Sequence, residues 1–382
     1  MKKIVVAVDS FKGSLQSSEI AEAIESGIKE IYPNCEVVKV PVADGGEGTT
    51  EALVGATGGK MYSKEVYGPL MTLVEAKYGI LGDKHTAVIE MSSASGLTLI
   101  PEEQRNPMLT TTYGTGQLIA DALKNGCTEF ILGIGGSATN DAGTGMLQAL
   151  GYRFLDEGEH ELGQGGRILQ KIASVDVSSQ NPFLDMARFK VACDVDNVFS
   201  GKQGAAYVFA PQKGADASMV KELDDGLENF ARIIKRQFHK DISTVPGTGA
   251  AGGMGGGLLA FLNARLQSGI DLVLEVLDFE KLLVDADMVI TGEGKMDSQT
   301  ARGKVPYGIA KVSAKRGIPV IALTGNIEDA EAVNKIGINA VFSVMPRPMT
   351  LDEAMDSDTT KKNIKDTVRQ LFLFNQTLNN RH

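Results

Sequence analysis

Residues 4–8, Ile4-Val5-Val6-Ala7-Val8, form an unbroken apolar run rich in β-branched side chains, and Asp9 follows it directly. Such a run is typical of a parallel strand that is buried on both faces of its sheet. Isoleucines then recur at helical spacing at positions 20, 24, 28 and 31, and Ser17 or Ser18 is the candidate N-cap. A buried strand followed by an amphipathic helix is the repeating unit of a parallel α/β sheet.

The same alternation of strand and helix occurs at both ends of the chain. The further predicted elements are strands over 37–42, 286–291, 318–323 and 340–344 and helices over 49–56 and 301–316, with another helix at the C-terminal end. Repeated units of this kind predict a doubly wound parallel sheet. We therefore predict a Rossmann-like domain that is built from residues 1–70 and 287–382.

The middle of the chain, residues 71–286, has a different pattern and is predicted to be an inserted mixed α/β domain. Residues 72–81 and 86–91 flank a Gly82-Asp83 turn, which indicates an antiparallel hairpin. Helices over 113–124 and 219–239 and strands over 130–134 and 189–193 complete the pattern. Residues 246–257 are so rich in glycine that they predict a loop or a close backbone crossing.

Composition excludes several classes of function. The 382-residue chain has a formal net charge of −10 and no basic stripe, which argues against a nucleic-acid partner. Its cysteines, at 35, 127 and 193, are odd in number and widely spaced, so neither a disulfide framework nor a metal site follows. The apolar run at the N-terminus is too short for a signal peptide, and no stretch resembles a membrane span. These features predict a soluble cytoplasmic protein without a membrane partner.

Acidic residues follow several of the predicted strands. They are Asp9, Asp44, Glu47, Asp194, Glu293 and Asp297. Ligands of open α/β sheets bind beyond the carboxyl ends of the strands, so these side chains are placed where functional carboxylates belong. A single aspartate at a strand end usually only caps a turn. The set as a whole favours phosphoryl transfer, because that reaction needs carboxylates to hold Mg²⁺ and to accept a hydroxyl proton.

Three glycine-rich segments could cradle phosphate groups with backbone N–H groups. They cover residues 45–49, 133–141 and 252–257, although tight turns and close packing would also explain the glycines. The predicted phosphate-binding residues are Gly133, Gly135, Gly136, Ser137, Thr139, Asn140, Gly252, Gly253 and Gly255. No Walker A motif is present, since every Gly-Lys pair lacks the Ser or Thr that should follow.

Cations near the acidic loops could meet a phosphate or a substrate carboxylate. They are Lys12, Lys295, Arg302 and Lys304. Arginine offers a bidentate fork to a carboxylate, and lysine offers a compact charge to a phosphate. The four histidines lack metal-ligand spacing, and no Gly-x-Ser-x-Gly elbow occurs.

Two other functions remain open on the residues alone. Gly133-x-Gly135-x-x-Ala138 and Gly247-x-Gly249-x-x-Gly252 fit dinucleotide fingerprints, and Asp156 lies near the right distance from the first. These fingerprints would suit an NAD-dependent oxidoreductase of a small hydroxy acid. A non-catalytic sensor of a hydroxy acid is the other alternative, although simple anion binding does not need so many carboxylates.

Seven segments, in order along nearly the whole chain, resemble the motifs of the bacterial glycerate kinase type I family. They are Asp9-Ser10-Phe11-Lys12-Gly13-Ser14, Ala43-Asp44-Gly45-Gly46-Glu47-Gly48-Thr49, Gly135-Gly136-Ser137-Ala138-Thr139-Asn140-Asp141, Cys193-Asp194-Val195, Pro211-Gln212-Lys213-Gly214-Ala215, Gly249-Ala250-Ala251-Gly252-Gly253 and Thr291-Gly292-Glu293-Gly294-Lys295-Met296-Asp297-Ser298-Gln299-Thr300. Three features depart from the family pattern. Asp196-Asn197-Val198 stands where Asn-Pro is expected after the Cys-Asp-Val motif, Lys295 replaces an arginine, and Ala142 replaces a glycine.

The resemblance implies ATP-dependent phosphorylation of D-glycerate, usually at the 2-hydroxyl, to give 2-phosphoglycerate. It also implies a flavodoxin-like domain with an inserted domain that is restriction-endonuclease-like in fold only, without nuclease activity. Whether the 2- or the 3-hydroxyl reacts, how strictly glycerate is preferred, and whether the protein is a homo-oligomer stay open.

The expected site lies in a cleft between the two domains. Asp194 is the first candidate for the base and Asp297 the second, while Asp44, Glu47 and Glu293 would hold Mg²⁺. The substrate would be bound by Ser10, Lys12 and Arg302, and Lys12, a predicted catalytic residue, and Arg302 would neutralise the substrate carboxylate or the transferring phosphoryl group. The glycine-rich loops would bind the phosphates of ATP.

Overall fold

The computed structural model describes residues 1–43, 45–297, 300 and 303–379. Its strands are β1 (Lys3–Val8), β2 (Glu36–Lys39), β3 (Lys60–Tyr67), β4 (Leu73–Ile80), β5 (Thr86–Glu90), β6 (Glu129–Gly133), β7 (Arg153–Leu155), β8 (Ser174–Asp176), β9 (Arg188–Ala192), β10 (Arg265–Gln267), β11 (Met288–Met296), β12 (Val320–Ile327) and β13 (Ala340–Ser343). Its α-helices are α1 (Ser17–Ile31), α2 (Thr49–Thr57), α3 (Ser92–Ser95), α4 (Tyr113–Lys124), α5 (Thr144–Ala149), α6 (Ala205–Phe209), α7 (Ala217–Phe238), α8 (Met254–Leu262), α9 (Gly269–Val276), α10 (Phe279–Leu282), α11 (Val305–Ala314), α12 (Ala330–Lys335), α13 (Leu351–Met355) and α14 (Ser357–Asn379). None of these helices is long and apolar enough to cross a membrane.

The chain divides into two compact units, and unit 1 consists of residues 1–44 and 273–382. Its strands form a parallel sheet in the order β13-β12-β11-β1-β2. The run Ile4–Val8 lies in β1, near the middle of this sheet, and is fully buried. Ile20, Ile24 and Ile28 of α1 are buried beside it in the core. The apolar residues that predict the sheet are therefore the ones that hold it together.

The start of α1 differs from the prediction that Ser17 or Ser18 is the N-cap. The N-cap residue is Gln16, whose backbone N–H donates to the carboxylate of Glu19 at 3.0 Å. The hydroxyl of Ser17 donates instead to the carbonyl oxygen of Val8 at 2.7 Å. The predicted serine cap is wrong because this hydroxyl ties the helix to the end of β1.

The order of the strands creates a switch point between β1 and β11. From β1 the chain proceeds to β2 on one side, whereas β11 is followed by β12 and β13 on the other side. In open α/β sheets a crevice forms at such a point, outside the carboxyl ends of the strands. Asp9 and Glu293 lie at this edge, and the backbone N–H of Asp9 donates to the carbonyl of Gly292 at 2.9 Å.

Unit 2 consists of residues 45–272, and its main sheet is mixed. The strand order is β10-β9-β6-β5-β4-β3, with β10, β9, β6 and β5 parallel and β5, β4 and β3 antiparallel. The predicted hairpin is present as β4 and β5. The predicted α/β class, with one parallel sheet and a second mixed domain, is confirmed.

The two units divide at other positions than the sequence indicates, namely 44/45 and 272/273 instead of 70/71 and 286/287. The N-terminal difference arises from β3, which pairs with β4 along its whole length, from Lys60 opposite Ile80 to Tyr67 opposite Leu73. A strand joins the sheet that supplies its partner, and this pairing is not visible in local sequence patterns.

The prediction that residues 246–257 contain no regular structure is wrong in part, because α8 begins at Met254. The glycines of α8 let other segments approach it closely. A Cβ atom added at Gly256 would lie 2.5 Å from the ring of Phe199, and one added at Gly257 would lie 2.2 Å from the carbonyl oxygen of Ala142. The glycines allow a helix to pack where larger residues would collide.

We expect Gly257→Ala to destabilise unit 2 by about 2 kcal/mol, because overpacking a dense interior forces the backbone apart. Gly55→Ala is the matched control, since Gly55 also lies in a helix but has open space around it. That change should stabilise by about 0.5 kcal/mol through helix propensity. Urea denaturation of the variants measures both effects. Equal effects of the two substitutions would contradict the packing explanation.

Candidate active site

A cavity of about 590 Å³ opens at the carboxyl edge of the unit 1 sheet. It lies at the ends of β1, β11, β12 and β13. Its polar lining residues are Asp9, Ser10, Lys12, Ser14, Glu293, Lys295, Lys304, Asn326, Thr350, Thr360 and Asn363. The structure thus brings Ser10, Lys12 and Glu293, together with the candidates Asp9, Lys295 and Lys304, to one cavity.

Glu293 is the buried carboxylate of this cavity, with 6% of its surface exposed. The hydroxyl of Thr300 donates to one carboxylate oxygen at 2.5 Å, and the Lys304 ammonium lies 3.4 Å from the other. Burial raises the pKa of Glu293, and the contacts with Thr300 and Lys304 offset part of this effect. Glu293 lies within β11 and not after it, because β11 pairs with β12 as far as Ile327.

Lys295 stands where the family pattern has an arginine. Its ammonium lies 3.0 Å from the carboxylate of Glu328 and 3.6 Å from that of Asp297, and half of its side chain is exposed. The backbone N–H of Asp297 donates to the Thr300 hydroxyl at 3.1 Å. Hydrogen bonds and ion pairs therefore link Glu293 to Thr300, Thr300 to Asp297, and Asp297 to Lys295. Lysine keeps the positive charge there but lacks the bidentate fork.

A second group of predicted residues lies at the carboxyl edge of the unit 2 sheet. Asp194 follows β9 with an exposed side chain, and its carboxylate accepts a hydrogen bond from the backbone N–H of Gly269 at 3.0 Å. Glu47 is exposed in the turn before α2. Gly45 lets this turn lie against the sheet, since an added Cβ would lie 2.7 Å from the Cβ of Ala192.

Glu90, at the end of β5, is a residue of this edge that the sequence analysis missed. Its carboxylate accepts backbone hydrogen bonds from Thr50 at 2.8 Å and from Gly48 at 3.3 Å. Burial raises the pKa of Glu90, and these hydrogen bonds partly oppose the shift. Its position at the end of a strand, shared with Asp9 and Asp194, is the signal that could have identified it.

The loop after β6 has an exposed part and a buried part. Gly135 and Gly136 are exposed, whereas Thr139 and Asn140 are fully buried. The side-chain polar atoms of Thr139 and Asn140 have no hydrogen-bond partner among the described residues. Only the exposed part offers backbone N–H groups at the surface, and phosphate binding by Thr139 and Asn140 stays a prediction.

Lys213 fixes this loop from inside the protein. It is 2% exposed, and its ammonium donates to the Ser137 hydroxyl at 2.8 Å and to the Thr139 carbonyl at 2.7 Å. Burial lowers the pKa of Lys213 to about 7. The family resemblance includes Lys213 in a motif, but the sequence does not reveal that its charge is buried.

Asp141 is the buried acid of the same loop. Its carboxylate accepts hydrogen bonds from the backbone N–H and the hydroxyl of Thr112, at 2.8 and 2.9 Å, and from the N–H of Gly143 at 3.1 Å. Desolvation raises the pKa of Asp141, and the hydrogen bonds from Thr112 oppose that rise. Ala142 follows with φ of 53°, the left-handed conformation that glycine adopts most easily. This backbone conformation explains the glycine that the family pattern has at position 142.

Gly252, Gly253 and Gly255 have a packing role in the structure. A Cβ atom added at Gly252 would lie 2.1 Å from the Thr139 carbonyl oxygen, and one at Gly255 would lie 2.4 Å from that of Gly247. Phosphate binding by these three glycines stays a prediction. The dinucleotide fingerprint over 247–252 lies in turns and follows no strand within the described residues, so the structure does not supply its required context.

Two of the candidate site residues, Asp44 and Arg302, lie outside the described residues. Within the described part of the chain, no group of three or more His, Cys, Asp or Glu side chains is arranged to hold a metal ion. Mg²⁺ in phosphoryl-transfer enzymes is typically held by one or two carboxylates together with substrate phosphates. Glu293, a hard oxygen donor at the cavity, fits that smaller requirement.

A family model described as the glycerate kinase family matches residues 4–375. The glycerate 2-kinase of Escherichia coli strain K12 is 51% identical over 92% of this chain and 93% of its own length. The glycerate kinase of Halalkalibacterium halodurans is 51% identical over 93% of this chain and 94% of its own. The crystal structure of a proposed glycerate kinase 2 from Salmonella typhimurium LT2 has a TM-score of 0.91 and 46% identity, and covers 99% of both chains. Matches of this extent show that the chain is a kinase and belongs to the glycerate kinase family.

Proposed function

We propose that this kinase transfers the γ-phosphoryl group of ATP to the 2-hydroxyl of D-glycerate and so forms 2-phosphoglycerate. The name of the Escherichia coli relative, glycerate 2-kinase, supports the 2-position. The observation that carries the proposal is the unit 1 cavity, in which lysines and a serine surround the buried carboxylate of Glu293. Phosphoryl transfer relies on positioning and on the neutralisation of phosphate charge, and this mixture of cations and carboxylates suits both needs.

Lys12 and Ser10 bind the anionic groups that enter the cavity. The ammonium of Lys12 neutralises the substrate carboxylate or the transferring phosphoryl group, and the Ser10 hydroxyl donates to one of its oxygens. Lys304 adds a second cation, which Glu293 holds in place at 3.4 Å. Arg302 remains a proposed substrate ligand on the basis of its sequence position.

Glu293 is the proposed Mg²⁺ ligand in the described part of unit 1, with Asp44 and Glu47 as the other proposed ligands. Carboxylate oxygens are the donors that Mg²⁺ prefers. When bound, the ion would neutralise phosphate charge at the reacting group.

Asp194 is the proposed base, and Asp297 is the second candidate. The hydrogen bond from the Gly269 N–H orients the Asp194 carboxylate at the end of β9. From this position the carboxylate accepts the proton of the attacking hydroxyl. In the loose transition state the bond from phosphorus to the leaving oxygen breaks ahead of the bond to the attacking hydroxyl. The main task of the Asp194 carboxylate is therefore to orient that hydroxyl.

The exposed backbone of Gly135 and Gly136 is the proposed phosphate-binding part of unit 2. Lys213 acts on it indirectly as a positioning residue, since its ammonium holds both Ser137 and Thr139. A loop fixed in this way loses little conformational entropy when it binds an anion.

We expect Asp194→Asn to lower kcat for D-glycerate phosphorylation by at least about 10²-fold, the usual effect of losing a catalytic base. Phosphorus NMR of purified protein with ATP, Mg²⁺ and D-glycerate follows the product directly. Asp196→Asn is the matched control, because Asp196 is an exposed carboxylate in the same turn. It should retain near-normal activity.

The product resonance also tests the position of phosphorylation. A 2-phosphoglycerate signal supports the proposed function, whereas a 3-phosphoglycerate signal would overturn the proposed position. If Asp194→Asn formed product at the normal rate, Asp194 would be excluded as the base. Asp297 would then be the next residue to substitute.

The lowered pKa of Lys213 predicts a pH-dependent stability. Between about pH 7 and pH 10 the unfolded chain keeps the proton on Lys213, while the folded protein releases it. Because the unfolded state binds more protons in this window, the free energy of unfolding should rise with pH. Below pH 7 the lysine is charged in both states, and the full cost of burying the charge applies.

Lys213→Met removes the titrating group and keeps most of its volume. The wild-type stability, measured by urea denaturation, should rise relative to that of the variant by on the order of a few kcal/mol from pH 7 to pH 10. The difference between the two proteins cancels the titration of all other groups. Parallel curves would show that Lys213 does not titrate in this range.

A further inference from the structure

The unit 1 cavity has an apolar half that the chemistry at Glu293 does not use. Its lining consists of Phe11, Val344, Met345, Met349, Leu351 and Met355. Most of these residues come from the segment that follows β13 and from α13. Met345 and Leu351 are 37% and 76% exposed, although both are large apolar side chains. Exposed apolar residues that border a charged cavity are typical of a ligand site.

The cavity is larger than a single small anion needs. Its volume of about 590 Å³ falls in the range of roughly 300–1,000 Å³ that is usual for sites of drug-sized ligands. Glycerate is a three-carbon anion without an apolar part. Glycerate accounts for neither the volume nor the methionine-rich apolar lining, and both favour a larger ligand with an apolar and an anionic end.

We propose that the apolar half of this cavity binds the purine base of the nucleotide, with the phosphates directed toward Lys12 and Lys304. This inference rests on the proposed function, because ATP is the ligand of that reaction that has a flat apolar end and an anionic end. The cavity also lies at the β1/β11 switch point, where open α/β sheets bind nucleotides. Base and phosphate then occupy opposite ends of one continuous site.

The side chains that line the apolar half of the cavity suit an aromatic base. Methionine side chains are flexible and polarisable, and their sulfur atoms make favourable contacts with aromatic rings. Asn363 adds one amide to the same half, with its Nδ2 atom 3.7 Å from the sulfur of Met349. An amide can donate to and accept from the polar edge of a purine. Apolar faces with one convergent polar group are the usual composition of a site for a flat ring.

The segments that carry the apolar lining are held in place by contacts within the protein itself. A capping box fixes the start of α13, since the N–H of Glu353 donates to the Thr350 hydroxyl at 3.2 Å and the N–H of Thr350 donates to the Glu353 carboxylate at 3.0 Å. The Ser14 hydroxyl donates to that of Thr360 at 3.1 Å, which joins the loop after β1 to α14. Gly13 leaves space for Met355, because an added Cβ would lie 2.6 Å from the methyl group of that residue.

The first experiment measures nucleotide binding without turnover. ADP and adenosine are titrated by calorimetry into the full-length protein and into the double variant Met345→Gln/Leu351→Gln. Both substitutions are neutral and affect exposed positions, so folding and electrostatics change little. Phe374→Gln is the matched control, since Phe374 is 66% exposed in the same unit but does not line the cavity. The double variant should bind ADP about tenfold more weakly, and the control should bind it normally.

Unchanged ADP affinity in the double variant would overturn the inference, and so would a wild-type protein that binds no adenine nucleotide. The KM for ATP should rise in the double variant, whereas the KM for D-glycerate should stay unchanged. An equal rise of both KM values would also contradict a base-specific site. Weakened ADP binding in a protein that fails to phosphorylate D-glycerate would support this site and reject the proposed substrate, so the two failures are distinguishable.

A second experiment locates the base directly. Photolysis of the protein with 8-azido-ADP, followed by peptide mass spectrometry, should label a peptide within residues 344–363, and excess ADP should suppress the labelling. Labelling confined to residues 45–272 would place the base in unit 2 and overturn the inference.

Discussion

The parallel pairing of β1 with β11 is the contact on which unit 1 depends. It runs from Ile4 opposite Met288 to Val8 opposite Gly292. Each of these strands is buried, so a shift in register would expose apolar residues and cost the hydrophobic free energy of the core. The same register sets Asp9 beside Gly292 and therefore beside Glu293. The pairing that stabilises the sheet thus also assembles the polar end of the cavity.

In unit 2 the comparable constraint is a pair of buried charges. Asp141 belongs to the loop after β6, Lys213 bonds to Ser137 and Thr139 of the same loop, and both side chains are buried. Burying a charge is expensive, and the cost is reduced only when hydrogen bonds satisfy the group. Both side chains bond to atoms of the loop and its neighbours and so hold it in one conformation. The cost of burying these two groups lowers the stability of unit 2, and the result is a loop with a fixed geometry.

Much of the fold could be predicted because its signals are local. The β-branched run at residues 4–8, the isoleucine spacing of α1 and the pattern of α4 are properties of short windows. Some strand ends are also local, whereas Glu293 lies inside β11, which extends past its predicted end. The rule for open sheets then locates Asp9 and Asp194 without a structure. The positions of these residues along the strands, but not their partners, were available from the sequence.

What could not be predicted depends on tertiary contacts. Membership of β3 in unit 2 follows from its pairing with β4, and the start of α8 within a glycine-rich segment follows from what packs against it. The burial of Lys213 likewise depends on residues distant in sequence, and a lysine between Gln212 and Gly214 looks like an ordinary surface residue. The methionines of the cavity wall belong to a segment without a strong periodic pattern, so their common environment becomes apparent only in three dimensions.

The pairing of β1 with β11 also bears on how the protein is made in the cell. The first strand emerges from the ribosome early, but β11, its partner on one side, is not synthesised until most of the chain has left the exit tunnel. Unit 2, which is continuous from residue 45 to residue 272, can complete its core during this interval. Meanwhile Ile4–Val8 can pair with β2 but lacks its other neighbour, and an apolar strand of high β-propensity with an open edge is the type of sequence that aggregates or binds chaperones. Slow translation would prolong this exposure, so expression yield should depend on the rate at which the C-terminal part of unit 1 is delivered.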